Sequence, residues 1–82
     1  MEKIEICLII EKDKNLWQRI LIHLHMCGFK WYRTGMPLDD IRHVKGIIQY
    51  GGKGLGINIL DKTVTWTCEP TKHYDYFIKV VK

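Results

Sequence analysis

His23, His25 and Cys27 spell His-x-His-x-Cys, three residue types that ligate zinc. On a helix His23 and Cys27 share a face, whereas His25 lies about 200° around the axis from His23, so the three cannot converge on one ion. A site would need His43, His73 or Cys68 carried in by the fold. The plainer reading is a pair of histidines near a helix C-terminus, where imidazolium complements the helix dipole, and no metal is expected. Gly51-Gly-Lys-Gly-Leu-Gly56 has the composition of a phosphate cradle. Such cradles open onto a helix; here an extended pattern follows, so the segment reads as a hairpin tip whose amides and Lys53 could still meet an anionic partner. A catalytic thiol needs a neighbouring base and a partly exposed, electropositive setting, yet Cys27 and Cys68 fall on faces that pattern assigns to the core. Asp39-Asp40 with His43 reads as a turn using its carboxylates as caps rather than as acid-base machinery. No catalytic set and no cofactor are therefore expected, and the chain is read as not an enzyme.

Recognition is the chemistry the remaining side chains suit. Trp17, Trp31 and Trp66 sit on apolar stripes and read as core residues, because each buries a large area. The tyrosines are better contact groups, rigid and wide with a polar end. Partner contacts are expected at Tyr32, Lys53, Gly54, Lys72, His73, Tyr74 and Tyr76. Lys30, Arg33, Arg42, Lys45 and Lys79 add basic groups that interleave with aromatics, which makes a small nucleic-acid-binding domain the alternative reading. No RNP, KH or helix-turn-helix pattern accompanies them.

The elements that must position these groups follow from periodicity. Between Glu2 and Ile10, Ile4, Ile6, Leu8 and Ile10 fall on one face at period two, which predicts a strand with one strongly buried side. Asp13 or Asn15 can cap a helix in which Leu16, Trp17, Ile20, Leu21, Leu24 and Cys27 recur at steps of three and four. Gly28 ends it. Phe29 to Thr34 alternates as a second strand, Gly35-Met-Pro37 breaks it, and Leu38 to His43 is read as a short helical turn. Val44 to Tyr50 is β-branched enough to predict a third strand. A two-residue turn at Asp61-Lys62 would pair Ile59 with Val64, Ile57 with Trp66 and Leu55 with Cys68, placing the apolar side chains of both arms on one face. Phe77 to Val81 completes the sheet. The class predicted is α+β in two layers, one main helix on a mostly antiparallel sheet of four or five strands, in a single domain spanning 1–82. One helix cannot cover both faces of such a sheet, so the second face must be polar, shielded by a loop, or used for binding.

Composition bounds the rest. With 82 residues, 46% of them hydrophobic and 27% charged, the chain holds one modest core and should fold. Thirteen Lys and Arg against nine Asp and Glu give a net charge of +4, which favours anionic partners mildly and excludes a DNA mimic, since that needs a dense negative face. Three cysteines without CxxC spacing point to reduced thiols and a cytoplasmic setting. No signal-peptide pattern and no apolar run of roughly 18 residues is present, so neither export nor a membrane span is expected.

Trp17, Leu21, Leu24, Gly28, Phe29, Lys30, Trp31, Gly35, Pro37, Ile57, Ile59, Thr65 and Trp66 together resemble a loosely defined group of small bacteriophage and prophage accessory proteins, with a strand, a helix carrying Trp near its start, Gly-aromatic-x-Trp, Gly-x-Pro and a closing hairpin. The resemblance implies interference with a host or antiviral-defence component in the host cytoplasm, by occlusion or sequestration, and carries over no catalytic residue. The partner would be a protein or a small anionic signalling ligand, captured by a monomer or a homodimer. The glycine-rich segment at 51 to 56 and the tail with His73, Tyr74 and Tyr76 depart from the group.

Overall fold

Alternation along Glu-Ile-Cys-Leu-Ile-Ile extends the chain as β1 (Glu5–Ile10), in a computed structural model that describes residues 5–80 apart from the side chain of residue 41. The expected start of this strand at 2–4 and the end of the last strand at Val81 lie outside the described residues. Asp13 then caps α1 (Lys14–Met26), its carboxylate accepting from the Leu16 amide at 3.1 Å. Gly28 takes φ +92° beyond the helix end, a conformation that costs a Cβ-bearing residue dearly. The next strand, β2 (Lys30–Trp31), is far shorter than the 29–34 expected. Its chain bends at Tyr32, whose amide still donates to the Val64 carbonyl, and returns so that the Gly35 amide meets the Trp31 carbonyl at 2.9 Å.

The predicted third strand at 44–50 is a helix, α2 (Ile41–Gln49). Asp40 caps it by accepting from the Arg42 amide at 3.0 Å, and Gly51 at φ +80° follows its end. Val44, Ile47 and Ile48 recur at helical steps and pack on the core. Their β-branched shape favours a strand only where a pleated surface is free to receive it, and here a capped apolar stripe beside α1 wins. The chain continues through β3 (Gly54–Asn58), β4 (Thr63–Thr67), α3 (Pro70–His73) and β5 (Phe77–Val80).

The class is α+β, as the pattern indicated, with five strands in the order β2-β4-β3-β1-β5. The sheet is mixed: β1 with β3 and β3 with β4 are antiparallel, while β1 with β5 and β2 with β4 are parallel. The hairpin folds back, but its register is Ile57 opposite Val64 and Leu55 opposite Trp66, two residues away from the expected pairing. A four-residue loop replaces the two-residue turn. Asn58 Oδ1 accepts from the Asp61 amide at 3.0 Å and Lys62 takes φ +55°, which closes that loop. A shift of two preserves which side chains share a face, so the inside-outside pattern survives while the partners change. Ile59 and Cys68 consequently leave the ladder and are exposed.

α1 and α2 lie on one face of the sheet, where Trp17, Leu21, Leu38, Val44 and Ile47 pack with Ile10, Leu55 and Val64. Trp17 is fully buried, and its indole N–H finds no acceptor there. Burying roughly 200 Å² of ring at about 25 cal/mol per Å² contributes about 5 kcal/mol, which outweighs the roughly 1–3 kcal/mol of one unmade hydrogen bond. Among the described residues no helix is long and apolar enough to cross a membrane. The register makes a sharp contrast between neighbours of identical chemistry: Ile57→Ala should cost about 2–4 kcal/mol in urea unfolding, whereas Ile59→Ala, half exposed in the loop, should cost under about 1 kcal/mol.

Candidate functional site

On β3 the residues alternate Gly54, Leu55, Gly56, Ile57, so the helix-covered face carries the side chains and the opposite face carries none until Asn58. That bare strip admits other groups closely. Pro70 of α3 lies over Gly54, where an added Cβ would come within 3.1 Å of Pro70 Cγ and 2.9 Å of Cys7 Sγ. Tyr74 lies over Gly56, and a Cβ there would overlap its hydroxyl. The second face is thus shielded by the 70–74 segment over β1 and β3, and open toward β4 and β2.

Where the shield ends there is a hollow of about 200 Å³. Its walls are Tyr32 and Tyr74, its floor Gly56, Thr63 and Thr65, and Glu5 and Asn58 lie alongside. Burial pushes the Tyr74 hydroxyl above the usual tyrosine range, with the charges of Cys7 and Glu5 adding to the effect. Burial alone raises the Cys7 thiol. Glu5 makes no ion pair among the described residues, and its carboxylate borders this hollow.

Two of the seven residues expected at a partner site, Tyr32 and Tyr74, are brought together here from distant parts of the chain. Lys53 and Lys72 meet elsewhere, in a shallow depression with Ile9, Glu69 and Pro70, where Lys72 Nζ stands 3.5 Å from Glu69. Gly54 is buried beneath Cys7 and Pro70 and serves there as a packing position rather than as an exposed contact. His73 and Tyr76 are exposed on either side of Tyr74. Lys53 does not sit on a hairpin tip: residues 50–53 connect α2 to β3.

Pattern reasoning missed a second surface. A groove of about 400 Å³ runs between α2 and the β2–β4 edge, lined by Trp31, Met36, His43, Tyr50 and Trp66, with Arg33 and Arg42 beside them. The alternation places Trp66 in the core, yet it is 36% exposed, on the wall of a groove that α2 flanks without filling. The signal that would have revealed the groove is the helical step His43, Gly46, Tyr50, which appears only once 41–49 is read as a helix. Asp40 holds the Arg42 guanidinium with contacts of 2.8 and 3.1 Å, and those hydrogen bonds pull the Asp40 carboxyl down to about 2.

The His-x-His-x-Cys residues do not gather. Among the described residues no three of His, Cys, Asp and Glu are placed to hold a metal ion. Cys27 and Cys68 are exposed rather than buried, the first beyond the end of α1 and the second beyond β4, while Cys7 is the buried thiol. Comparison with protein-family models, curated proteins and solved structures returns no match.

The contact of Tyr74 with Gly56 is testable by a double-mutant cycle. Gly56→Ala should destabilise the wild-type chain by about 1–3 kcal/mol through overpacking, and should be neutral or mildly stabilising in a Tyr74→Ala background, since alanine outperforms glycine in a strand. Alkaline pH should destabilise the fold through Cys7 and Tyr74. Both have folded-state pKa values above their ordinary ones, so their contribution is whole below about pH 7.5, where neither ionises in the unfolded chain, and is lost as pH rises through the folded values. Denaturation midpoints at neutral and alkaline pH, in wild type and in Tyr74→Phe, measure the Tyr74 share.

Proposed function

We propose that this chain is a non-enzymatic binding protein that inhibits a host or antiviral-defence protein by occlusion, consistent with its resemblance to phage accessory proteins. The observation that carries the reading is the convergence of Tyr32 and Tyr74 on one hollow beside Glu5, which makes no ion pair among the described residues. Two rigid rings around a carboxylate suit a cationic side chain: the ring faces attract an ammonium or guanidinium, and the carboxylate completes the pair. Phosphate would be repelled from the same place. This favours a protein partner that presents lysine or arginine over a small anionic ligand at this position.

Occlusion needs nothing further from the site. A partner whose functional basic residue is seated between the two rings has that residue removed from its own substrate, and the exposed Tyr76 and His73 extend the contact area around it.

The test is a pull-down from bacterial lysate followed by affinity measurement with the protein captured. Glu5→Gln and Tyr32→Ala lie on exposed or half-exposed positions and should leave the circular dichroism spectrum unchanged while each weakens capture at least about tenfold, the scale of a truncated interface anchor. Full-strength capture by both folded variants would remove the hollow from the mechanism.

A further inference from the structure

The groove between α2 and the β2–β4 edge is separate from the tyrosine hollow, and its chemistry is different. Trp66 is supported from behind: Gly52 lies so close that an added Cβ would come within 3.3 Å of Trp66 Cε3. Gly52 thus leaves room for the indole edge beside it, and the ring remains partly exposed to the groove. Trp31 is pinned in orientation, its Nε1–H donating to His43 Nδ1 at 3.2 Å with the two rings edge to face. That contact occupies His43 Nδ1 and leaves Nε2 to meet a polar ring edge. Tyr50, 74% exposed, adds a further aromatic surface.

The charge count of the groove is decided by Asp40. Arg42 is held bidentately by that carboxylate, whereas Arg33 has no acidic partner among the described residues. A braced aromatic platform beside one free guanidinium is the combination that receives a base and its phosphate, the base stacking on the indole and the phosphate meeting the cation. A groove of about 400 Å³ falls in the size range of small-ligand sites.

We propose that this groove is a stacking site for single-stranded nucleic acid, with Trp66 as the base platform and Arg33 as the phosphate contact. An aliphatic peptide segment would gain little from a free guanidinium, and a duplex hides the base faces that Trp66 would stack on.

Fluorescence anisotropy with a labelled, mixed-sequence single-stranded oligonucleotide at low salt tests this on the full chain. Wild type should bind the single strand more tightly than the matching duplex. Arg33→Ala should weaken binding severalfold and reduce the slope of log affinity against log salt by about 0.7, the value for one single-strand phosphate contact. Trp66→Ala should weaken it about tenfold or more, with Trp66→Phe retaining most of the affinity because a stacking face remains. If Trp66→Ala fails to fold, the exposed Tyr50→Ala and Arg33→Ala carry the test. Glu5→Gln and Tyr32→Ala should leave oligonucleotide binding unchanged, which separates this site from the tyrosine hollow. No binding at low salt, equal binding of duplex, or affinity unaffected by Arg33→Ala and Trp66→Ala would overturn the proposal, as would an acidic peptide that occupies the groove while oligonucleotides do not.

Discussion

Strand β3 presents side chains to one side of the sheet and almost none to the other, and the architecture depends on that asymmetry. Leu55 gives α1 and α2 a floor to pack on, with Ile57 buried on the same side of the strand, so both helices settle on that face. Gly54 and Gly56 leave the reverse bare at the centre of the sheet, and Pro70 and Tyr74 descend into the space a pair of Cβ atoms would have filled. Two-layer packing on one face and a close-lying strap on the other are consequences of four consecutive residues alternating between nothing and a branched aliphatic chain.

What pattern could reach was what local physics decides by itself. The strand at β1, the stripe Trp17 and Leu21 on α1, the Asp13 cap and the left-handed Gly28 are each dictated within a turn or two of chain and found where the residues indicate, although β1 buries Cys7 on its reverse face and leaves Ile6 and Leu8 half-buried on the expected one. The segment 44–50 was not legible by composition, because β-branched residues suit either element and the outcome rests on whether a neighbouring helix offers an apolar flank. Hairpin register failed for a related reason. Asn58 forms a side-chain turn with the Asp61 amide, and that one hydrogen bond lengthens the loop at the expense of a pairing for Ile59.

The candidate sites divide along the same line. Residue type alone singles out Tyr32 and Tyr74 as candidates, and the topology supplies what sequence could not, namely that β2 and the α3–β5 connection end on the same patch of sheet. The aromatic groove was illegible because Trp66 looks like a core residue on any alternation argument, and its partial exposure depends on how α2 packs beside β4. Electrostatics sharpens the difference between the two surfaces. One is bordered by the Glu5 carboxylate and the other by the Arg33 guanidinium, neither ion-paired among the described residues, so a single small domain offers opposite charges to what it meets.

Strand β1 has β3 on one side and β5 on the other, drawn from residues 54–58 and 77–80. Both of its neighbours are synthesised long after it. During translation α1 can form and β3 can close onto β4, but β1 keeps an unsatisfied ladder edge until the final strand emerges, and its Ile- and Leu-rich backbone is available to the wrong strand throughout that interval. The short parallel pairing with β5 covers the outer edge of β1, an edge that would otherwise offer an unpaired ladder to another chain.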